Sequence, residues 1–298
     1  MSSNITVFDR RAVRHHRDRA AASVASVTDI LGDAADRLLD RLDDTTRRFS
    51  RALDVGGRGI TAPLLRARGI ETVACDLSVP MLARSGGLAV AVDEEWLPFA
   101  PESFDLVVAN LSLHWVNDLP GALIQLRRAM QPDGLLLASL PALGTLAELR
   151  AALTEAEAAI TGGAAPRVSP FPDLRDLAGL LQRAGFALPV ADVEDIRLLY
   201  ADPMALLRDL RAAGETNAVA LRDRRTPPRA LFAAALASLP QQDGLPEQDG
   251  RVPATLRLAI MTGWAPAPGQ PQPLRPGSAQ YALADALRDP PDRPQNFS

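Results

Sequence analysis

The chain has 298 residues and a formal net charge of −4, with 47% hydrophobic and 23% charged residues. This composition is ordinary for a globular protein. The slight excess of acids argues against a broad nucleic-acid surface, and no apolar run reaches the roughly 20 residues that span a bilayer. A single cysteine, Cys75, excludes an internal disulfide and a thiolate metal cluster, and it indicates a reducing compartment.

The first 45 residues are predicted to be helical. Charged and apolar residues alternate at helical spacing over residues 10–45. The N-terminus is rich in arginine, but Asp9 and Asp18 argue against an organelle transit peptide. We therefore expect a helical extension on a cytoplasmic, bacterial protein. The charged segment at residues 10–20 is interpreted either as a solvated or intramolecular face, or as a lid or a contact for the target.

From residue 51 onward, short apolar runs alternate with helical segments. The runs ALDV, TVACDLS, AVAVDEE, FDLVVANLSLHW and GLLLASLPA predict five strands, and VADVEDIRLLY and PATLRLAIMTGWAP predict two later ones. Segments such as TAPLLRARG and PGALIQLRRAM predict the intervening helices. This alternation predicts an α/β fold: a Rossmann-like, mostly parallel seven-stranded sheet covered by helices on both faces.

The expected domain organisation follows from these segments. Residues 1–45 form the helical extension, and residues 46–265 form the main domain with a helical insertion at about 201–250. Residues 266–298 are rich in proline and are expected to be an extended or mobile tail.

The stretch LDVGGRGI, residues 53–60, ends the first predicted strand in a glycine-rich turn. Glycines let backbone N–H groups approach a ligand closely, and ligands of open α/β sheets bind at the carboxyl ends of the strands. Asp54 precedes Gly56, Gly57 and Gly59. Asp76 ends the second strand, 22 residues after Asp54, at an offset where an acid accepts hydrogen bonds from ribose hydroxyls.

A further acidic element follows the third predicted strand, in VDEEWLPF. Asp93 is placed to accept a hydrogen bond from the exocyclic amine of adenine, and the backbone N–H of Glu94 to donate one to a ring nitrogen. Leu77, beside Asp76, and Asn110, at the end of the fourth strand, complete the candidate cofactor site. Together these elements favour a nucleoside-bearing cofactor over a packing coincidence.

These motifs resemble the S-adenosylmethionine-dependent methyltransferases of the Rossmann-like class. More narrowly, VFDRRAVRHHRDRAA, ANLSLHWVNDLPGAL and DGRVPATLRLAIMTGW are similar to the mitochondrial complex I assembly factor 5 family and its alphaproteobacterial relatives, in the same order over nearly the whole chain. The malonyl-carrier-protein methyltransferase of biotin synthesis is a more distant look-alike. The resemblance implies a late antiparallel strand near the sheet edge. It also implies S-adenosylmethionine as cofactor, held by Asp54, Gly56, Gly57, Gly59, Asp76, Leu77, Asp93, Glu94 and Asn110.

The turn departs from the family pattern because the residue between its first two glycines is missing. One residue spans up to about 3.5 Å, so the backbone donors must re-register or bind more weakly. Three functions stay open. They are an S-adenosylmethionine-dependent transferase, an arginine hydroxylase acting on a complex I subunit as the resemblance implies, and a non-catalytic assembly chaperone with a degraded cofactor loop.

Candidate catalytic and substrate residues follow the fourth and fifth strands. His114 is a candidate general base because histidine titrates near neutral pH, with a packing role in the turn as the alternative. Thr145 has an alternative role as a helix N-cap. The candidate substrate contacts are Trp115, Thr145, Glu148 and Arg150, with Glu215 and Asn217 of the same standing.

We expect no metal site. The chain has three histidines, and the adjacent His15 and His16 point in different directions on a helix, so a triad of two histidines and one carboxylate is not predicted. The tryptophans Trp96, Trp115 and Trp264 are expected in the core or in the wall of a pocket.

Overall fold

The computed structural model describes residues 6–240 and 250–271, which contain seven strands. They are β1 (Arg51–Val55), β2 (Glu71–Asp76), β3 (Leu88–Ala91), β4 (Phe104–Asn110), β5 (Met130–Pro141), β6 (Ala187–Tyr200) and β7 (Val252–Trp264). They form one sheet in the order β3-β2-β1-β4-β5-β7-β6. The mostly parallel seven-stranded sheet predicted from the sequence is therefore confirmed.

Only β7 runs against the others. It pairs antiparallel with both β5 and β6, whereas β1, β2, β3, β4 and β5 pair parallel. The late strand expected to be antiparallel and near the sheet edge is thus found there. The central strand β4 is buried along its whole length, as a continuous apolar run in a two-faced parallel sheet requires. The edge strand β3 is exposed.

Nine helices are described in the same ranges. They are α1 (Arg10–Ala20), α2 (Thr28–Leu39), α3 (Thr61–Ala67), α4 (Val79–Leu82), α5 (Leu119–Ala129), α6 (Ala147–Thr161), α7 (Leu174–Arg183), α8 (Pro203–Ala212) and α9 (Arg229–Ala237). None of the helices described is both long and apolar enough to cross a membrane.

Two hydrophobic clusters cover the two faces of the sheet. Leucines of α5 and α7 pack with Val107 and Leu136 in one cluster. Leucines of α2 and α3 pack with Leu106 and Leu137 in the other. A third cluster joins α6, α8 and α9 to the first residues of β7. This third cluster places the late helices beside the carboxyl ends of β4 and β5, which they therefore partly enclose.

Some local expectations differ from the structure. Trp96 is 78% exposed, so its prediction as core or pocket wall is wrong, whereas Trp264 packs beside Phe49. Thr145 is not an N-cap, because α6 begins after Leu146, which has a left-handed backbone and makes no side-chain cap. The predicted tail from residue 272 onward lies outside the described residues, as does the stretch 241–249.

Candidate functional site

The candidate site lies where the strand order reverses, between β1 and β4. Helices leave these neighbouring strands toward opposite sides, which opens a crevice at their carboxyl ends. The glycine turn follows β1, Asp76 ends β2 and Asn110 ends β4. The N–H of Val92 donates to the carbonyl of Asp76, so Asp93 follows at the same edge of the sheet. The predicted acids therefore converge on one crevice.

Each glycine of the turn faces atoms of the chain itself. A Cβ on Gly56 would lie 2.6 Å from the Cβ of Ser112 and 3.2 Å from Nη1 of Arg17. A Cβ on Gly57 would lie 2.2 Å from a carboxylate oxygen of Asp54, and one on Gly59 would meet the backbone of Arg84 at 2.9 Å. Only Gly56 therefore faces the crevice and Arg17, and the other two glycines make room for neighbouring side chains and backbone.

Asp54 is buried beneath this turn without a well-formed hydrogen bond to either carboxylate oxygen among the described residues. Burial, and then the negative charge of Asp76, raise the pKa of Asp54 to about 7. The N–H of Ala62 and the charges of Arg66 and Arg58 oppose that rise. Asp54 therefore titrates near neutral pH and is partly protonated there.

Helix α1 crosses the mouth of the crevice and is fastened at its start. The N–H groups of Val7 and Phe8 both donate to Oδ1 of Asn117 at 2.8 Å. Phe8 forms an antiparallel bridge with Val219, and its ring meets that of Trp115 edge-on at 5.3 Å. The N-terminal extension is therefore an integral wall of the site. The charged segment at residues 10–20 is an intramolecular face, and its role as a lid stays a prediction.

Two arginines of α1 pair with the three acids that were predicted to bind a nucleoside. Nη1 of Arg17 lies 3.3 Å from Asp76 and 3.0 Å from Glu94, and these three side chains are at most 3% exposed. Arg10 pairs with Asp93 at 2.6 Å and also with Glu94, and it donates to the carbonyl of Trp115 at 3.1 Å. The crevice is thus closed by guanidinium groups.

The Arg17 guanidinium remains charged in this setting. Burial would lower its pKa, but the negative charges of Asp76, Glu94 and Glu215 raise it above its ordinary value. A buried cation needs such compensation, because the desolvation of each ion costs several kcal/mol. Arg17 therefore neutralises acids that would otherwise repel one another.

Several polar atoms around the turn are nevertheless buried without a hydrogen-bond partner in the described ranges. They are Nε and Nη2 of Arg17, both carboxylate oxygens of Asp54, Nε of Arg58, Oγ1 of Thr61, Oδ2 of Asp76, Oγ of Ser112 and Nδ1 of His114. Such atoms are rare in folded proteins, where more than nine in ten buried polar groups are paired. Polar atoms without a partner therefore cluster around the glycine turn and the residues after β4.

Arg58, in the glycine turn, links this crevice to a second group of residues. Its backbone is left-handed (φ 53°), which costs a non-glycine residue energy, and its buried guanidinium pairs with Glu215. His114 Nε2 lies 2.7 Å from Glu215, and Trp115 Nε1 donates to the same carboxylate at 2.9 Å. Glu215 therefore receives three donors and joins the turn to the residues after β4.

The charge of Glu215 is fixed by these donors. Burial would raise its pKa, but His114, Arg58 and Arg17 lower the pKa of Glu215 to about 2. In contrast, burial and the charge of Arg17 lower the pKa of Arg58, against the opposing effect of Glu215. Glu215 is therefore a carboxylate at any physiological pH, and its hydrogen bond orients the imidazole of His114.

A cavity of about 730 Å³ opens beside this carboxylate. His114, Trp115 and Glu215 line it at the side of the glycine turn, and α6, α8 and α9 form most of its remaining wall. Its lining includes none of Asp76, Asp93 and Glu94. The fold thus places an acid-and-arginine crevice and a separate large cavity side by side, joined through Glu215.

The remaining predicted site residues lie around these two features. Thr145 and Asn217 line the cavity, and the Thr145 hydroxyl exchanges hydrogen bonds with the backbone of Arg257. Glu148 accepts from the hydroxyl of Thr255, and Arg150 donates to two backbone carbonyls. Neither of the last two lines the cavity, so their contacts hold α6 in place and give no support to a substrate role.

Leu77 and Asn110 are both near the crevice but in structural contacts. Leu77 packs with the Phe8 and Trp115 cluster. Asn110 donates to the carbonyl of Leu31 and accepts from the Ser139 hydroxyl at 2.8 Å. In the part of the chain that is described, no group of three or more His, Cys, Asp or Glu side chains is placed to hold a metal ion.

The sequence reasoning missed Arg10, Arg17, Arg58 and Ser112 as site residues. A signal for the first two was available, because Arg10 and Arg17 are seven positions apart and so share one face of a helix with Val13. No signal in the sequence identifies Arg58 as a partner of Glu215, since the two lie 157 residues apart.

Comparisons with known proteins identify relatives of this chain. A family model described as a methyltransferase domain matches residues 13–189. The chain is 37% identical over 290 residues to the arginine-hydroxylase NDUFAF5, mitochondrial, of Danio rerio, across 94% of this chain and 89% of that protein. It is 31% identical to a malonyl-acyl-carrier-protein O-methyltransferase of Methylovorus sp., across 100% of this chain and 99% of that protein.

One solved structure is similar in fold. The YcgJ protein from Bacillus subtilis superimposes with a TM-score of 0.53 over 77% of this chain and 98% of that one. The two chains are 14% identical, so this likeness concerns the fold alone.

Replacing Asp54 by Asn should make the free energy of unfolding less dependent on pH. The folded-state pKa of about 7 exceeds the ordinary 3.8, so the native state binds a proton that the unfolded state releases. The wild type therefore loses stability as the pH rises from about 4 to about 7. Asp54→Asn should match the wild type at pH 4 and exceed it at pH 8 by up to about 4 kcal/mol.

Urea unfolding at the two pH values measures this difference. Asp29→Asn, on the exposed side of α2, is the matched control and should change little at either pH. Equal gains for Asp54→Asn at pH 4 and pH 8 would contradict the raised pKa.

Proposed function

Because this chain belongs to the methyltransferase-domain family and is related to the arginine-hydroxylase NDUFAF5 proteins, we propose that it binds S-adenosylmethionine in the crevice between β1 and β4. Bound there, the cofactor serves a transferase reaction on a substrate in the adjoining cavity. The observation that carries the proposal is the set of buried, unpaired polar atoms around Gly56. They match a ligand that has a carboxylate, an amino group and a ribose diol.

The side chains fit the parts of this cofactor by their chemistry. Oδ2 of Asp76 is available to ribose hydroxyls, and Asp93 and the N–H of Glu94 to adenine. The unpaired Nε and Nη2 of Arg17 suit the carboxylate, since a guanidinium binds a carboxylate through two parallel hydrogen bonds. Ser112 adds a further unpaired hydroxyl. The glycine turn then contributes to cofactor binding mainly at Gly56, which faces the crevice.

The side chain of Arg17 also has to move when the cofactor binds. Its guanidinium lies over Gly56 and is 1% exposed, so a ligand of this size enters only when α1 shifts or the Arg17 side chain swings. We infer that α1 is a lid whose arginines pair with Asp76, Asp93 and Glu94 when the crevice is closed. On binding, Arg17 exchanges part of these pairings for the carboxylate of the ligand.

Bound S-adenosylmethionine supplies a methyl group already activated by a sulfonium, so the residues of the chain need only bind, orient and exclude water. His114 is our candidate for proton transfer. Glu215 stays ionised and accepts from Nε2, which orients the imidazole. Nδ1 is buried without a partner among the described residues, so it takes a proton from a substrate in the cavity only after the ring or its neighbours move. A cytoplasmic location, expected from the composition, and a complex I subunit as protein partner, implied by the sequence resemblance, stay predictions.

A second candidate function is arginine hydroxylation. The observation that favours it is the 37% identity to a protein named as an arginine-hydroxylase, over 94% of this chain. The group that activates oxygen in such a reaction is not identified by the residues of the crevice or the cavity. The two functions differ in the mass that the target gains, so mass spectrometry of the target protein separates them.

Asp76→Asn should weaken binding of S-adenosylmethionine and of its demethylated product by about tenfold or more, because a hydrogen bond to a charged group contributes about 1.5–3 kcal/mol. Isothermal titration calorimetry measures both ligands. Glu71→Gln, an exposed acid at the opposite end of β2, is the control and should bind like the wild type. No heat with the wild type at millimolar ligand would contradict the proposal.

Arg17→Met should separate two roles of the guanidinium, which are to bind the carboxylate of the ligand and to occlude the crevice. As a carboxylate receptor, Arg17 contributes to S-adenosylhomocysteine but not to 5′-methylthioadenosine, which lacks the amino-acid part. Loss of the Arg17 charge changes access to the crevice and the state of Asp76 for both ligands alike, so we expect the affinity for the first ligand relative to the second to fall by about tenfold.

Both titrations use the same protein sample, so partial unfolding of the variant cancels in the ratio of the two affinities. Arg14→Met, on the exposed face of the same helix, is the matched control. If both ligands bind more tightly to Arg17→Met by the same factor, the guanidinium only occludes the crevice and the carboxylate assignment is wrong.

Deletion of the gene should remove one modification from the target protein. Mass spectrometry of peptides from complex I subunits should find one peptide lighter by about 14 Da for methyl transfer, or by about 16 Da for hydroxylation. Restoring the gene should restore the mass. An unchanged set of peptide masses would exclude a complex I subunit as the target of either reaction.

A further inference from the structure

The cavity beside Glu215 has the size and wall of a small-molecule site. Its volume of about 730 Å³ lies within the range of ligand pockets, which is roughly 300–1,000 Å³. Leu149 and Leu153 of α6, Leu207 and Leu210 of α8, and Phe232 and Leu236 of α9 contribute to the lining. An apolar body of several carbon–carbon bonds therefore fits this wall better than a polar one.

The polar end of the cavity has no carboxylate available for a cationic ligand. Glu215 is the only acid in the described lining, and it already receives Arg58, His114 and Trp115. A guanidinium or ammonium group entering here would have to displace one of these donors. In contrast, the buried hydroxyl of Thr216 has no hydrogen-bond partner among the described residues.

Arginines of the lining surround the outer part of the cavity. Arg211 and Arg229 are exposed and make no ion pair with any residue in the described ranges. Arg208 pairs with Asp202 while remaining 64% exposed, and Arg167 pairs with Glu157. Arg211 and Arg229 therefore carry the uncompensated positive charge of the described lining, and their field favours a negatively charged ligand.

From these observations we propose that the cavity binds an anionic amphiphile, a small molecule with one extended apolar chain and a carboxylate head. The chain lies against the leucines and Phe232, and the carboxylate lies near Arg211 and Arg229. This binding is independent of the proposed transferase reaction. The same features disfavour an arginine side chain as the occupant of this cavity.

Displacement of the neutral dye Nile red from the full-length protein tests the proposal with three probes of equal chain length, each below its micelle concentration. We expect dodecanoate to bind about tenfold more tightly than dodecylamine, with dodecanol between them, because the head groups differ in charge and the chains do not. Arg211→Gln combined with Arg229→Gln should reduce the ratio of dodecanoate to dodecylamine affinity to less than about threefold and leave dodecanol unchanged.

The matched control removes two exposed arginines elsewhere, Arg14→Gln with Arg175→Gln, and should keep the wild-type ratio. Leu236→Asn, which adds polarity but no charge to the lining, should weaken all three probes and so localise them to the apolar wall. Near-ultraviolet circular dichroism checks that this variant is folded. The proposal is overturned if dodecylamine binds as tightly as dodecanoate, or if no probe displaces the dye from folded wild type.

The result is independent of the cofactor. A titration of the same sample with S-adenosylhomocysteine can fail while dodecanoate still binds, and that outcome would overturn the proposed cofactor but not this site. If the protein binds S-adenosylhomocysteine but prefers dodecylamine to dodecanoate, the proposed anionic ligand is overturned and the proposed cofactor is not.

Discussion

The structure depends on the burial of one positive charge, the guanidinium of Arg17, between Asp76 and Glu94. Each of these ions loses several kcal/mol of hydration on folding, which only close pairing offsets. The pairing fixes α1 across the carboxyl ends of the central strands. It also allows two acids to be ionised in a buried place. Without a cation there, at least one of the two acids would have to bind a proton.

The charge of Arg17 also acts on Glu215, which lies beside the cavity. Arg17 lowers the pKa of Glu215 together with His114 and Arg58, and Arg58 extends from the glycine turn to that carboxylate. The crevice and the cavity therefore share one electrostatic network. A ligand that draws Arg17 away from Asp76 and Glu94 therefore also alters the electrostatic field at Glu215.

Much of the fold was predictable because it depends on local patterns. The alternation of apolar runs with helical segments predicts the parallel sheet, and the positions of Gly56, Asp76 and Asp93 at strand ends predict one crevice. The ion pairs were not predictable, since Arg17 meets Glu94 across 77 residues and Arg58 meets Glu215 across 157. Trp96 was misplaced because an aromatic residue in a turn carries no signal of its exposure. The cavity is likewise absent from local patterns, because three separate helices form it.

The central claim is that α1 and the acids after β2 and β3 form one cofactor site in which Arg17 receives a carboxylate. A crystal structure of the protein grown with S-adenosylhomocysteine tests it most directly. We expect the ligand between Gly56 and α1, with its ribose at Asp76 and its carboxylate on Nε and Nη2 of Arg17. A structure at saturating ligand in which Arg17 still fills the crevice, and the ligand lies elsewhere or is absent, would contradict the account.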